Sequence, residues 1–466
     1  MLNIPHKLPD ARERAFLVGG SIRDMLMERP PVDYDFVVPE NPESYARKLA
    51  AIHHSRVIEL GKAGKRIFRV IVKGIVYDIS RIKGASIKED LAQRDFTVNA
   101  LAYDPFSGDI IDVTNGRRDL ARRQIRMVSP SIFDQDPIRL MRSFRMAAML
   151  GFDIEKPTMD KIQEKRHLIR LAAGERIRDE LFGILKQPST AACLEDMAGT
   201  GLLVALFPEM EGLAELKQNQ HHAFDALMHT LKTVDHLEAQ FACLDDSFPQ
   251  SAEELNRILS HKRNITLKCA ALLHDIGKPA TASTDDQGRR HYYGHEKTGA
   301  HMADKISQRF RFSNHERESI VFIVRHHLRP LFLFNQAGEK TVRSKARVRF
   351  FLACGPLVPD IVLHAVADSR GKTAEPGQRH LNFVRFADSL LHDYFTGFRV
   401  KKEAPQLING HDLIHVFGLS PSPVFASVLK QVEEARITGE IHNKTDALNL
   451  VDCILNNLRK TQQDVV

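Results

Sequence analysis

From Ala15 to Asp112 the chain alternates short apolar runs with polar stretches: FLVGG, DYDFVV, SRVIEL, KRIFRVIV, IVYDIS and IIDVT. Runs this short, bounded by Gly, Pro, Asn and Asp, predict strands with helices between them. The segment IFRVIVKGIVYDIS predicts a hairpin turning at Lys73-Gly74. After Phe133 the period changes. Apolar residues recur at three- and four-residue spacing in IRLMRSFRMAAML, RIRDELFGIL and LKCAALLH, which predicts helices. The chain therefore reads as an α/β domain followed by a mostly helical remainder. Pro- and Gly-containing breaks near 187–190, 277–294 and 371–377 are the expected seams.

Two carboxylates stand one residue apart in the second of these runs, Asp33 and Asp35. In a strand, positions i and i+2 face the same side. Carboxylates that close repel unless a cation lies between them, and hard oxygen ligands suit Mg²⁺ with a substrate phosphate. The preceding run ends in Gly19-Gly20-Ser21. Glycines at a strand-to-helix turn let backbone N–H groups approach an anion. Alone, such a turn is a loop and such an Asp pair a solvated strand end. Within one strand–helix–strand unit they point to a two-metal nucleotide site.

Composition bounds the rest. With 466 residues the chain exceeds one core, so two to four domains are expected. Hydrophobic residues make up 43% and charged residues 27%, ordinary for a globular protein. The net charge of +7 is compatible with a polyanionic partner. Cys193, Cys243, Cys269, Cys354 and Cys453 are far apart and form no CxxC, which argues against a zinc ribbon or disulfide framework and suits a reducing cytoplasm. MLNIPHKLPDARER lacks the apolar core of a signal peptide, and no apolar run approaches the ~18 residues of a membrane span.

Five ordered motifs carry a family resemblance: LVGGSIRD (17–24) with DYD (33–35), QRDFTVNALAYD (93–104), DVTNGRRDL (112–120), DQDPIRLMRSFRMAAMLGF (134–152) and ERIRDEL (175–181). Over these residues the chain resembles nucleotidyltransferases of the polymerase-β superfamily, specifically the class II tRNA nucleotidyltransferase (CCA-adding) and bacterial poly(A) polymerase family. The resemblance implies a polymerase-β-like α/β head at 1–132 and a helical neck and body at 133–221. It implies metals on Asp33 and Asp35 and a triphosphate cradle of Gly19, Gly20, Ser21 and Arg23, while Asp78 in IVYDIS reads either as a third carboxylate or as a solvated strand-end cap. Arg94, Asp95 and Asn99 would hold the incoming ribose and phosphates. Gln93 stands where the family usually has Arg, which removes one charge beside the triphosphate.

Asp136-Pro137 reads as a helix start, with Asp at the N-cap and Pro at the first helical position. Arg139, three positions on, shares its face. A carboxylate acceptor beside a guanidinium donor can pair with the edge of cytosine or adenine. The resemblance assigns this pair the template role, with Arg142 and Arg145 on the same nucleotide-binding helix. Gln135 replaces the family's usual Glu.

A second constellation begins at ALLHDIGKPA (271–280), with His229 in DALMHTL, His295 in GHEKTG, His326-His327 in VRHHLRP and Asp368 in LHAVADS. Imidazoles with carboxylates suit a divalent metal. The stretch 222–370 resembles HD-type metal-dependent phosphohydrolases. The resemblance implies an all-helical fold, with His229, His274, Asp275 and Asp368 around one metal and His295 with His327 holding a second. Residues 371–466 resemble a helical tail of the same family, either a plain tail or a tRNA-binding surface.

The resemblances imply template-independent addition of CMP and AMP from CTP and ATP to the 3′ end of tRNA, with Mg²⁺ in the head and an HD phosphohydrolase activity. The link from Asp78 to Arg94, ISRIKGASIKEDLAQ, looks shorter than in many full CCA-adding members. Arg81, Lys83 and Gly84 would keep some mobility and charge there. Two rivals stand beside this: poly(A) synthesis or partial (CC- or A-only) addition, and an HD phosphohydrolase that uses the head as an RNA-binding module.

Overall fold

The computed structural model describes residues 2–10, 14–61, 66–214, 216, 225–337, 344–372 and 375–463. It forms two compact units, Met1–Pro208 and Glu209–Val466. The division falls at none of the three expected seams. Residues 187–190 join two helices inside the first unit, and 277–294 carries a short two-stranded hairpin inside the second. Thr373 and Ala374 of the third seam, and the expected 221/222 boundary, lie outside the described residues. Gly and Pro mark local turns; whether a turn also parts two cores depends on packing across it, which they do not report.

In the first unit, β1 (Phe16–Val18) leads into α1 (Gly20–Leu26) and β2 (Asp33–Val38). Then come α2 (Pro42–Ile52), β3 (Val57–Leu60), β4 (Ile67–Val72), β5 (Ile75–Arg81), α3 (Ile87–Ala92), β6 (Leu101–Tyr103) and β7 (Ile110–Asp112). The seven strands form one sheet in the order β3-β4-β5-β2-β1-β6-β7. Only β2 and β5 of this sheet run parallel. The predicted hairpin turns at Lys73 (φ 48°) and Gly74 (φ 87°), the positive pair that a two-residue turn needs to match strand twist. Strand β6, LAY, is the one strand of this sheet absent from the predicted set.

The period-two rule sorts β2 into two faces. Tyr34, Phe36 and Val38 join the main core with Tyr45 and Leu49 of α2 and with Tyr77, which stacks on Tyr34 at 5.2 Å. Val37 packs on the other side with Val18, Leu91 and Ala102. Asp33 and Asp35 share that second face. Helix α2 starts at Pro42 behind Asn41, whose side chain accepts from the Ser44 N–H at 2.9 Å.

The helical part of this unit holds α4 (Gly116–Ala121), α5 (Ile132–Gln135), α6 (Arg139–Leu150), α7 (Lys156–Lys165), α8 (Gly174–Leu185), α9 (Thr190–Gly199) and α10 (Leu202–Leu206). A two-residue pair, β8 (Gln124–Ile125) with β9 (Asp153–Ile154), ties across α6. Helix α6 buries Leu140, Met141, Phe144 and Leu150 and ends at Gly151 in the left-handed region. Its regular part starts at Arg139 rather than at Pro137. Asp136 is extended (φ −152°, ψ 97°), and the first turn closes with Arg139 N–H on the Asp136 carbonyl at 3.1 Å.

Among its described residues the second unit is helical apart from one small hairpin, Ser283–Thr284 with Arg290–His291. Helices Ala226–Ala242, His261–Leu273, His295–Arg309, Asn314–His326 and Val358–Gly371 pack around one centre. Their starts are encoded locally. Asp225 accepts from Met228 N–H at 2.7 Å, and Ser313 with Glu316 forms a reciprocal capping box. One correction to the hydropathy reading arises here. The stretch Lys345–Gly371 is long and apolar enough to cross a membrane by length and composition, yet most of it is buried inside this unit. Val358 to Asp368 is buried without a break, because the helix is surrounded by others. The tail has its own small core, built around Leu413, Val428, Ala447 and Val451.

Candidate functional site

Asp35 stands directly opposite Asp78 in the β2–β5 ladder, and Asp33 lies one step earlier on the same face. Burial, then the charges of Asp33 and Asp78, push the Asp35 carboxyl up to about 6, against the pull of Arg94 and Arg69. Three acidic groups competing for one space fit a divalent cation. Asp78 is held from the far side by Arg69 of β4, whose Nε and Nη2 donate to its two oxygens at 2.8 and 2.7 Å. Nothing in the sequence signalled Arg69 beyond its antiparallel register with Asp78.

Gly19 has φ 79° and ψ −138°, a conformation open to glycine alone. A Cβ there would meet Arg94 Nη1 at 3.1 Å and Asp35 Oδ2 at 3.7 Å. The turn, the arginine and the carboxylate thus converge. Arg23 folds over Gly20 and donates to Asp24 and Asn99, both at 2.8 Å. Ser21 is buried and its hydroxyl donates to the Val18 carbonyl, so it is already committed. Arg94 pairs with buried Asp90 at 2.9 Å. The same Asp90 accepts from the Lys83 N–H, while Ala85 N–H donates to Glu89. Lys83 and Ala85 of the link are thus hydrogen-bonded to the helix that follows, and a Cβ on Gly84 would stand 2.5 Å from Glu89 Oε2.

Asp136 and Arg139 lie beside this site. Asp136 accepts two bonds from Arg176 of α8, at 2.9 and 2.8 Å. Burial opposes its charge, but Arg176 outweighs that and holds its pKa below the usual range. Arg139 Nη2 donates to the Gln93 carbonyl at 3.2 Å, while its buried Nε has no hydrogen-bond partner. Burial lowers its pKa, against Asp95 and Asp136. Arg142 joins Asp95 to Glu180, both at 3.1 Å, and Arg145 meets Glu180 at 2.5 Å. Arg176 and Glu180 both come from ERIRDEL, which was read as a helical family motif without a role for either residue.

In the second unit the six predicted ligands meet. His229, His274 and Asp368 form one group, and Asp275, His295 and His327 another. All are buried, His295 least at 8% exposure. Asp275 faces both groups, with Oδ2 3.1 Å from His274 Nε2 and Oδ1 3.5 Å from His295 Nε2. The Nδ1 atoms of His274, His295 and His327 lie 2.8, 2.8 and 2.7 Å from the carbonyls of Ala271, Tyr292 and Val324. A carbonyl only accepts, so each Nδ1 carries the proton and each Nε2 is left as a donor to a metal. The imidazole and carboxylate donor set fits a divalent metal. Burial opposes charge on His274, yet Asp275 and Asp368 lift it to about 9. Lys278 and Lys372 pair with Asp275 and Asp368 at 2.6 and 2.9 Å. A pocket of about 440 Å³ opens onto these groups, rimmed by Arg290, Tyr293 and Phe332.

Gly277 brings the His-Asp turn against the neighbouring helix. A Cβ there would stand 2.2 Å from the His295 carbonyl and 2.6 Å from Gly299 N. Both are backbone atoms, so the helix would have to move. Gly277→Ala is therefore expected to weaken the Asp275–His295–His327 group more than the His229–His274–Asp368 group. Metal titration by calorimetry should show one of two binding steps weakened by about tenfold or more. Two unaltered steps would refute the role given to this glycine.

Residues 15–126 match the family model described as Poly A polymerase head domain, 250–391 the HD domain, and 386–451 the tRNA nucleotidyltransferase domain 2. Among curated relatives, the A-adding tRNA nucleotidyltransferase of Deinococcus radiodurans is 29% identical over 94% of this chain and 95% of its own length. The CC-adding tRNA nucleotidyltransferase of Thermus thermophilus is 29% identical over 93% and 92%. The multifunctional CCA protein of Neisseria meningitidis is 31% identical over 70% and 74%. The Thermotoga maritima CCA-adding enzyme complexed with tRNA has a similar fold, with TM-score 0.62 and 19% identity over 95% of this chain and 92% of that one. With the head carboxylates, the neighbouring Asp136 and Arg139 and the helical His-Asp centre in place, this chain belongs to the tRNA nucleotidyltransferase family that includes the CCA-adding enzymes.

Proposed function

We propose that this protein adds CMP and AMP, taken from CTP and ATP, to the 3′ end of tRNA. The observation that carries the reading is the convergence of Asp33, Asp35, Gly19 and Arg94 at one end of β2, with Arg139 hydrogen-bonded to the carbonyl of Gln93 next to Arg94. The tRNA 3′-hydroxyl attacks the α-phosphorus, the bond to the bridging oxygen breaks, and pyrophosphate leaves. Asp33 and Asp35 would hold Mg²⁺, which activates the hydroxyl and offsets charge on the leaving oxygens. The backbone at Gly19 and Gly20 and the Arg94 guanidinium receive the triphosphate. Asp136 accepts from the amino group of cytosine or adenine, and Arg139 donates to the acceptor beside it. A cytoplasmic setting accords with five free cysteines. The test is labelled CTP and ATP with tRNA ending at the discriminator base, at C and at CC, followed by sequencing of the 3′ ends. Ends reading CCA support the proposal; long A tails would replace it with poly(A) synthesis.

Partial addition is the second reading, favoured by the hydrogen-bonded link. Asp90 and Glu89 fix residues 83–85, leaving little slack between β5 and Arg94. Products stopping uniformly at CC would establish it. The helical unit supports a further activity, metal-dependent phosphoester hydrolysis, on the Asp275 carboxylate that faces two donor groups.

Base choice should rest on Asp136 and Arg139. Asp136→Ala or Arg139→Ala is expected to blur C-against-A selection by about 1–3 kcal/mol, since a lost edge contact leaves its partner unpaired. Arg176→Ala, which frees the Asp136 carboxylate, should do the same more weakly. Competition of CTP against ATP on tRNA ending at CC measures it. Intact selection with a lowered melting temperature would reduce all three to scaffold.

A further inference from the structure

We propose that His364 is a further metal ligand of the helical site, its ring packed against His274 of one donor group and His327 of the other. This rests on reading that site as a metal centre. His364 lies on the helix Val358–Gly371, one turn before Asp368 and on the same face. It is fully buried, and neither Nδ1 nor Nε2 has a hydrogen-bond partner. Buried polar atoms without partners are rare, and a ring with both nitrogens bare is suited to a ligand that the polypeptide itself does not supply. A leucine or phenylalanine would fill the same core volume without leaving two polar atoms unsatisfied.

The spacing supports the same conclusion. The ring centre of His364 lies 4.9 Å from that of His274 and 5.6 Å from that of His327, and the latter two are 5.3 Å apart. An imidazole nitrogen binds a transition ion at about 2.0–2.1 Å, which puts ring centres about 3.2 Å from the ion and about 5 Å from each other around a tetrahedral site. The rings meet edge to face, at interplanar angles of 69°, 79° and 69°, which packing alone also favours, so the bare nitrogens and the spacing carry the proposal. His274 and His327 have each committed Nδ1 to a backbone carbonyl and turn Nε2 inward. His364 has both nitrogens open to an ion. Adding it to His229, His274, His295 and His327 gives an imidazole-rich donor set, which selects a borderline transition metal over Mg²⁺.

The full chain, ¹⁵N-labelled at histidine and loaded with Co²⁺ after removal of excess metal, provides the test. Hyperfine-shifted ring signals from five histidines are expected; four, with His364 unshifted, overturn the proposal. His364→Gln should lose one set and weaken Co²⁺ binding by at least about tenfold, the cost already typical of losing a residue that merely orients a ligand. Co²⁺ affinity equal to wild type in that variant also overturns it. His364→Phe, which restores bulk without a donor, should match the Gln variant in affinity; recovery of wild-type affinity would mean that volume alone matters. A chain that takes up no Co²⁺ at these histidines defeats the metal-centre reading itself.

Discussion

Asp35→Ala is expected to lower nucleotide incorporation by about a thousandfold or more, because it removes a ligand from the charge that must be offset in the transition state. Asp33→Ala should act alike, and tRNA binding should survive both. Near-normal incorporation by either variant would sink the assignment. Asp35 carries a second signature. Its folded pKa is raised from 3.8 to about 6, chiefly by burial, so folding penalises the ionised form. Below about pH 4 the group is protonated folded or unfolded and the penalty vanishes; above about pH 6 it is complete. In the presence of a chelator, Asp35→Asn should therefore be more stable than wild type at pH 8, by on the order of 1–2 kcal/mol after solvent screening, and the gain should fade as pH falls from 6 to 4. A Mg²⁺-induced rise in melting temperature should fade over the same range in the wild type. A pH-independent difference between the two proteins would show that the carboxylate is not held near pKa 6.

Asp275→Ala should have the largest effect in the helical unit. One carboxylate faces both donor groups, at 3.1 Å from His274 and 3.5 Å from His295. Its loss removes a carboxylate that faces each group and that pairs with buried Lys278. Metal content by mass spectrometry should fall at both positions, and hydrolysis of bis-p-nitrophenyl phosphate should drop by roughly a thousandfold. Transfer of CMP and AMP should persist, since Asp33 and Asp35 lie in the other unit. Retention of one full metal equivalent with wild-type affinity would place Asp275 in only one group.

How far the sequence carried is a matter of which contacts are local. The apolar runs gave β1 to β5 and β7, and the i, i+2 rule put Asp33 and Asp35 on one face. LAY escaped because its three residues are buried on both sides, so no alternation marks it. The histidines were legible as a motif, but His364 went unread although it sits in LHAVADS, four residues before Asp368. Helical spacing alone could have flagged it. Arg69 opposite Asp78 follows from the two-residue turn at Lys73-Gly74 and went unread, whereas the Arg176–Asp136 and Glu180–Arg142 pairs were not accessible, since each depends on packing between separate elements. The boundary at Pro208 was hidden for the same reason: a domain edge is a deficit of long-range contact, and residue types do not record it.

The carboxylate of Asp90 answers to two masters. It accepts the N–H of Lys83 in the link and the guanidinium of Arg94, which stands beside Gly19. An insertion that lengthened the link would draw Lys83 away and leave Arg94 with a less firmly placed partner. In evolutionary terms, loop length and nucleotide affinity are then one inherited character rather than two. A lineage that changed how many nucleotides it adds by altering this loop would have to retune its hold on the triphosphate in the same step.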